Sequence, residues 1–274
     1  MSDYKLNDLP LGREVAYPQA YDPTLLFPIE RKSNRSTLRL PGPWHGADLW
    51  NAYEVSWLNQ RGLPCAAIAR FTIPADSPCL IESKSLKLYL NSLNEERYDD
   101  PAQVTALLRT DLSRAAGAEV NVCLDDDLAA LSMNCRPLSG TCLDGLDIEI
   151  DRYEPDASLL QRAQGDGIVT ETLVSNLLKS NCPVIGQPDW GSIQVRYTGP
   201  RINHESLLKY IVSFRRHTEF HEHCVERMYC DLWHVLAPEA LFVMARYTRR
   251  GGLDINPWRS SHPLEVNDER TPRQ

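Results

Sequence analysis

The sequence predicts an α+β fold made of two similar halves, each with the element order ββααββ and an antiparallel sheet that carries its helices on one face. Three observations lead to this class. Apolar and polar residues alternate in several short segments, which is typical of half-buried strands. Capped helical stripes lie between these segments in both halves. Finally, Y-L-N-S-L at 89–93 resembles Y-I-V-S-F at 210–214, and Asp111-Leu112 resembles Asp231-Leu232, which favours a duplication.

The N-terminal half opens with a predicted hairpin, whose strands are the alternating run at 52–58 and the run A-A-I-A-R-F-T-I that follows the turn residues. A leucine stripe at 86–93 marks the first helix. The second helix has Asp100 as its N-cap and Pro101 at its first position, and it ends before Gly117. Two further predicted strands close this half, at 120–124 and 148–150.

The C-terminal half repeats this order. Predicted strands cover the segment 168–184 and the alternation at 193–197, and Asn203 caps the first helix. The second helix carries apolar residues at four-residue spacing, and a strand at 241–247 follows.

The first 40 residues contain four prolines and no sustained period, so they are expected to form an irregular arm. The predicted domains are therefore an arm at 1–40, an N-terminal half at 41–155 and a C-terminal half at 156–274.

Composition limits the classes of function. The 37 acidic residues outnumber the 29 basic ones and give a formal net charge of −8, so direct binding of nucleic acid is not expected. No apolar run reaches the length of a membrane span and the polar opening lacks a signal-peptide core, so we expect a cytoplasmic protein. The eight cysteines form no C-x-x-C unit, which argues against a zinc ribbon, a redox pair and a disulfide framework.

The segment S-N-C-P-V-I-G-Q-P-D-W-G at 180–191 places one cysteine seven residues before one aspartate. A thiolate is a nucleophile, and a nearby carboxylic acid can protonate the anion that its attack creates. Cys182 and Asp189 are therefore candidates for these two roles. The alternative is that Cys182 is a small apolar residue of the core.

A second candidate is H-T-E-F-H-E-H-C-V-E at 217–226. His217 and His221 are four residues apart and could face one metal ion on a helix, but a zincin motif would need histidine where Val225 stands. If Thr218 is the N-cap, His221 and Glu222 lie in the first helical turn. There the helix dipole keeps Glu222 ionised, able either to accept hydrogen bonds from a purine-like edge or simply to satisfy the helix end.

Two basic motifs complete the candidates. In E-S-K-S at 82–85, Lys84 and the adjacent helix N-terminus suit an anionic group, although the same letters also form an ordinary cap. In R-Y-T-R-R-G-G-L-D-I-N-P-W-R at 246–259, four arginines surround a glycine pair whose backbone a ligand can approach closely, or the segment is a solvated surface turn. No G-x-G-x-x-G motif is present, so any nicotinamide cofactor would bind without a Rossmann unit.

Taken together and in their order along the chain, these four motifs resemble the 7-cyano-7-deazaguanine reductases, the NADPH-dependent nitrile reductases of queuosine biosynthesis, in their long form with two tunnelling-fold halves. The resemblance implies that the Cys182 thiolate attacks the nitrile carbon to form a covalent thioimide. It implies Asp189 as general acid and His221 as a second proton relay. NADPH would then reduce the thioimide to the amine of 7-aminomethyl-7-deazaguanine.

The resemblance also assigns binding residues, no metal ion and a homodimer. Glu82 and Glu222 would hold the deazaguanine edge, as expected for a base at a junction of two halves. The residues expected beside the base are Ile81, Ser83 and His221. Phe220 is also expected to pack on the ring of the base, because its side chain is aromatic and not because a motif assigns it. The residues expected to meet NADPH are Ser83, Lys84, Arg250 and Gly251.

Two other functions stay open at this stage. One is a zinc-dependent pteridine or purine cyclohydrolase on the same fold, which stoichiometric zinc in the purified protein would favour. The other is a catalytically silent purine-binding or assembly module, which would consume no NADPH with any nitrile.

Overall fold

The computed structural model describes residues 17–130, 135–165 and 167–274, which divide into two compact units. Unit 1 comprises residues 17–37, 47–130 and 249–255, and unit 2 comprises residues 38–46, 135–165, 167–248 and 256–274. Both units are discontinuous in sequence. The division of the chain into contiguous domains, with boundaries after residues 40 and 155, stays a prediction.

Unit 1 is an antiparallel sheet with helices on one face. Its elements are β1 (Pro28–Glu30), α1 (Arg31–Arg35), β2 (His45–Leu58), of which residues 47–58 belong to this unit, β3 (Pro64–Pro74), β4 (Cys79–Ile81), α2 (Ser83–Asn91), α3 (Pro101–Ala116) and β5 (Asn121–Asp125). The strand segment Leu253–Ile255 lies beside β2, giving the order β5-β3-β2-Leu253–Ile255, and β1 pairs separately with β4. The described part of the predicted arm thus contains a short strand and a short helix.

Local sequence explains most of these elements. Alternate residues of β3 from Ala67 to Ile73 are buried against α2 and α3, as the period-two pattern predicts. A bulge in β2 lies between Ala52 and Val55 and turns both side chains toward this core. Helix α3 begins and ends as predicted, because Asp100 accepts a hydrogen bond from the amide of Ala102 and Gly117 takes a left-handed φ of 70°.

The strand predicted at 148–150 is wrong. This segment is irregular in the structure, and Ile148 is partly buried against the core of unit 2 without pairing with a neighbouring strand. The last strand of unit 1 comes instead from Leu253–Ile255, near the far end of the chain. The Asp254 carboxylate accepts hydrogen bonds there from Asn51 and Tyr53 of β2, at 2.8 and 2.6 Å.

Unit 2 has the predicted order ββααββ in its main part. Its elements are β6 (Thr141–Cys142), β7 (Ile168–Asn181), β8 (Pro188–Pro200), α4 (His204–Ser213), α5 (His221–Leu236), β9 (Ala240–Tyr247) and β10 (Leu253–Ser260), of which residues 256–260 belong to this unit. The sheet order is β10-β9-β8-β7-β6, and every pair except β6 with β7 is antiparallel. Strand β10 was not predicted from the sequence.

One face of this sheet forms the core of unit 2. Alternate residues of β8 and β9, such as Val195 and Val243, pack against α4 and α5. The cap predicted for α4 is confirmed, since the Asn203 side chain accepts a hydrogen bond from the amide of Ser206. On α5, the residues at four-residue spacing from Cys224 to Leu232 are buried. The predicted α+β class is therefore confirmed in both units.

The sequence echo between the halves corresponds to a shared contact between helices. In unit 1 the Tyr89 hydroxyl donates to Asp111 at 2.8 Å, and in unit 2 the Tyr210 hydroxyl donates to Asp231 at 2.7 Å. In each unit a serine three residues after the tyrosine donates to the tyrosine carbonyl, at 2.6 Å. The same tie thus joins the two helices of each unit, as a duplication predicts.

Candidate active site

Cys182 and Asp189 lie at one end of the β7–β8 hairpin. The ladder ends with the pair Asn181 and Pro188, so Cys182 is the first residue of the connecting loop. Its amide donates to the Gln187 carbonyl at 2.9 Å, and its carbonyl accepts from the Gly186 amide at 3.0 Å. These bonds close the loop, and they place Cys182 two residues beyond Ser180, which is directly opposite Asp189 in the ladder. Cys182 is 3% exposed and Asp189 is 6% exposed.

The end of β7 also positions the start of α5. The Asn181 amide donates to the His217 carbonyl at 2.8 Å, and the Asn181 carbonyl accepts from the Glu219 amide at 3.1 Å. Thr218 therefore forms an isolated parallel bridge with Asn181 and is not the N-cap. The helix begins at His221 with Phe220 at the N-cap position, because the preceding backbone is extended and paired. The prediction of Thr218 as cap is wrong.

His221 reaches Asp189 from the first turn of α5. Its Nε2 atom lies 3.3 Å from Asp189 Oδ2, and the two side chains are 13% and 5% exposed. Glu222, the next residue, is also in the first turn and is 2% exposed, as the sequence analysis expected. Phe220 is half-buried and packs edge-on against His223. A largely buried acid and imidazole thus stand in contact beside the hairpin loop that carries a thiol.

Tyr247 and Cys224 lie beneath this pair and were not singled out by the sequence analysis. The Tyr247 ring stacks on the His221 ring with centroids 3.8 Å apart and an angle of 9° between the planes. Burial raises the pKa of Cys224 and of Tyr247 well above their usual values, so both keep their protons at neutral pH. Cys224 is therefore not a competing thiolate.

His217 is not paired with His221 at a metal site. It precedes α5 and packs edge-on against Phe214, and burial lowers its pKa to about 4. Across the described ranges 17–130, 135–165 and 167–274, no group of three or more histidine, cysteine, aspartate or glutamate residues is arranged to hold a metal ion.

The lowered pKa of His217 predicts a pH-dependent stability. In the unfolded chain this histidine takes up its proton near pH 6.5, whereas the folded protein resists protonation down to about pH 4. Stability is therefore lost as the pH falls through this window, by on the order of 3 kcal/mol. We expect His217→Gln to weaken this dependence in denaturant titrations at neutral pH and near pH 4. The exposed His262 supplies the control, and an equal response of His217→Gln and His262→Gln would contradict the prediction.

In unit 1 the E-S-K-S motif starts helix α2. The Glu82 carboxylate is fully buried and accepts hydrogen bonds from the amides of Lys84 and Ser85, at 2.9 and 2.7 Å. Burial raises the pKa of Glu82 in spite of these bonds. Ile81 is a core residue and is 1% exposed. Glu82 thus acts as a cap here, and its role toward a base stays a prediction.

The R-R-G-G motif forms a tight turn in unit 1. Arg250 and Leu253 exchange backbone hydrogen bonds of 2.8 and 3.3 Å, and Gly251 and Gly252 have φ of 59° and 77°. A Cβ atom at Gly251 would lie 2.9 Å from Lys87 Nζ. The Lys87 ammonium therefore lies beside a backbone that carries no side chain, and it is also 3.9 Å from Glu54 Oε2.

Gly252→Ala is expected to destabilise the protein. Its left-handed φ strains any residue with a Cβ, by about 1–2 kcal/mol, and the new Cβ would lie 2.4 Å from the Glu54 carboxyl carbon. Glu54 is exposed and can move away, so backbone strain dominates. The melting temperature should fall by about 2–6 °C. Gly145→Ala is the matched control because it has open space and an ordinary φ, and an equal shift in both variants would refute the prediction.

Two family models match the chain. Residues 17–124 match the model described as nitrile reductase, 7-cyano-7-deazaguanine-reductase N-term, and residues 188–265 match the model described as QueF-like protein. The second match contains both Asp189 and the R-R-G-G turn.

Relatives match almost the whole chain. The protein named NADPH-dependent 7-cyano-7-deazaguanine reductase from Bordetella avium is 57% identical over 258 residues, which are 93% of this chain and 94% of that protein. Its namesake from Chromobacterium violaceum is 54% identical over 269 residues, 97% of this chain and 96% of the relative. Among solved structures, the apo form of the archaeosine synthase QueF-Like aligns with a TM-score of 0.32 and 16% identity, over 37% of this chain and 100% of that one.

Proposed function

Because this chain belongs to the family of NADPH-dependent 7-cyano-7-deazaguanine reductases, we propose that it reduces the nitrile of 7-cyano-7-deazaguanine to the primary amine through a covalent thioimide on Cys182. The observation that carries the proposal is the contact of His221 with Asp189. This contact lies at the end of the β7–β8 hairpin whose loop starts at Cys182. The two α+β units correspond to the tunnelling-fold halves that the resemblance implies.

The chain supplies the proton movements of the first step. Cys182 releases its thiol proton to the pair formed by Asp189 and His221, and the thiolate attacks the nitrile carbon. The attack places negative charge on the nitrile nitrogen, which Asp189 protonates to give the thioimide. Thiol addition is therefore balanced within the site, since the proton leaving sulfur reaches nitrogen and no outside acid is required.

Bound NADPH would supply the two hydrides that take the thioimide carbon to the amine, and the Cys182 sulfur would leave that carbon as thiolate between the two transfers. The chain then provides one proton for each hydride, and His221 relays these protons to Asp189 from the helix start. A nitrile is a poorer hydride acceptor than a protonated thioimide. The covalent step therefore makes the hydride transfer feasible.

The residues proposed for NADPH fit its phosphates. The turn at Gly251 exposes its backbone, and the cations of Lys84 and Arg250 belong to the same unit as this turn. Ser83 is the first residue of α2 and adds a hydroxyl at that helix start. For the base, we propose Glu82 and Glu222 as acceptors of its N–H edge, with Ile81 through its backbone, and Phe220 packing on the ring.

The test of the proposed function is a turnover assay with 7-cyano-7-deazaguanine. We expect two NADPH oxidised for each nitrile consumed, with the amine identified by mass spectrometry. Omitting the nitrile controls for background oxidation of NADPH. A protein that binds the nitrile and oxidises no NADPH would favour the silent binding module. The zinc cyclohydrolase finds no support among the relatives, which carry the reductase name.

We further propose a cytoplasmic homodimer that does not bind nucleic acid directly. The net charge of −8 and the tendency of tunnelling-fold halves to assemble support these statements. In the part of the chain that the structure describes, no helix has both the length and the apolarity needed to cross a membrane. Light scattering on the purified protein tests the dimer.

A further inference from the structure

The His221 ring has two contacts, one at its edge with Asp189 and one on its face with the ring of Tyr247. Its Nε2 atom meets Asp189, whereas its Nδ1 atom is buried and has no hydrogen bond to any residue that the structure describes. A catalytic imidazole commonly has its second nitrogen tied to a carboxylate or carbonyl, which fixes the ring plane and the tautomer. Here the fully buried Tyr247 ring covers the face of His221 instead, at 3.8 Å.

The neighbouring strand leaves room for this tyrosine. Gly191 of β8 is paired with Tyr247 of β9 in the ladder. A Cβ atom at Gly191 would lie 3.2 Å from Tyr247 Cδ1 and 3.2 Å from the Arg246 carbonyl oxygen. Such contacts are tighter than ordinary packing, so any larger residue at 191 would press on the tyrosine ring. The glycine thus allows the ring to lie flat beneath His221.

The far end of the tyrosine is buried in the protein. Its hydroxyl lies among buried polar groups, close enough to the Ser180 hydroxyl and the Cys224 thiol for each to influence its pKa. Ser180 is fully buried and is the residue directly opposite Asp189 in the β7–β8 ladder. The Tyr247 ring therefore lies between the face of His221 and Ser180, the residue opposite Asp189 in the ladder.

We propose that Tyr247 is a positioning residue, whose ring fixes the plane of the His221 imidazole so that Nε2 faces Asp189. This inference rests on the proposed function, in which that pair moves the protons of nitrile reduction. In this proposal, stacking by Tyr247 orients the imidazole. In other sites a hydrogen bond to Nδ1 has that role.

The first test compares two substitutions at this position. Tyr247→Phe keeps the ring and should lower kcat by no more than about fivefold. Tyr247→Leu removes the stacking surface and should lower kcat by about 100-fold with little change in KM for the nitrile. Tyr229→Leu is the matched control, because it removes a buried aromatic ring of the same unit that packs on Trp44 and Trp233 instead of His221.

A double-mutant cycle separates positioning from a general structural role. In a His221→Ala background, Tyr247→Leu should lower kcat by less than about threefold further, because the ring it would orient is gone. Equal effects in both backgrounds would overturn the proposal. Gly191→Ala provides a milder perturbation if Tyr247→Leu does not fold, since it presses on the ring from β8, and it should lower kcat by about tenfold.

Nuclear magnetic resonance of the ring nitrogens gives a readout that needs no turnover. In wild type and Tyr247→Phe, the His221 nitrogens should report one tautomer, whereas Tyr247→Leu should average the two. An unchanged spectrum in Tyr247→Leu would refute the positioning role while leaving the proposed function intact. A wild type that reduces no nitrile, or a His221→Ala variant with full activity, would instead refute the role given to His221 in the proposed function.

Discussion

Replacing Cys182 by alanine is expected to abolish nitrile reduction, lowering turnover by more than about 10⁴-fold. Without the sulfur no thioimide forms, and hydride would have to add to an unactivated nitrile. The same substitution should abolish covalent capture. Wild-type protein incubated with 7-cyano-7-deazaguanine and no NADPH should gain the mass of one substrate molecule, and Cys182→Ala should gain none.

A second buried thiol provides the control for this experiment. Cys230→Ala removes a cysteine from α5 that is as buried as Cys182 and plays no part in the proposed reaction. It should retain both the adduct and turnover. An adduct that persists in Cys182→Ala, or one that disappears in Cys230→Ala, would show that the nucleophile is assigned wrongly.

Asp189→Asn should lower turnover by about 10²–10⁴-fold and leave nitrile affinity nearly unchanged. Asparagine preserves the size of the side chain and its contact with His221 Nε2, but it can neither accept the thiol proton nor protonate the nitrile nitrogen. The loss should therefore appear in kcat. Affinity is best measured by calorimetry in a Cys182→Ala background, where no covalent bond can form.

The matched control is Asp231→Asn on α5. Asp231 is a half-buried carboxylate that accepts a hydrogen bond from Tyr210, so its replacement should lower stability more than kcat. Comparable losses of kcat in Asp189→Asn and Asp231→Asn would mean that the effect is structural. Unchanged turnover in Asp189→Asn would remove this carboxylate from the proton path.

The accuracy of sequence-based prediction differed between local and distant features. Helix α3 was predicted from Asp100 to Gly117 because both caps are short-range hydrogen bonds and dihedral preferences written in a few neighbouring letters. The strand predicted at 148–150 failed because alternate isoleucines can half-bury on a core without a partner strand. Period-two patterning reports burial, whereas a strand also requires an edge with which to pair.

The candidate site shows the same division. Cys182 and Asp189 could be brought together from the sequence because a hairpin with a short loop joins their strands. The start of α5 could not be predicted from the sequence. Thr218 forms an extended bridge with Asn181, so the helix begins only at His221. The sequence pattern indicated only that Tyr247 belongs to a strand. No local signal indicated that its ring would meet His221.

Local patterning therefore determined the capped helices, the alternating strands and the thiol and acid of one hairpin, because each depends on residues close together in the chain. Tertiary structure decided which strand completes unit 1, where α5 begins and which ring supports the imidazole. Those outcomes depend on pairing and packing between residues tens to hundreds of positions apart, as with Asp254 and Asn51. Their energies come from contacts that no sequence period encodes.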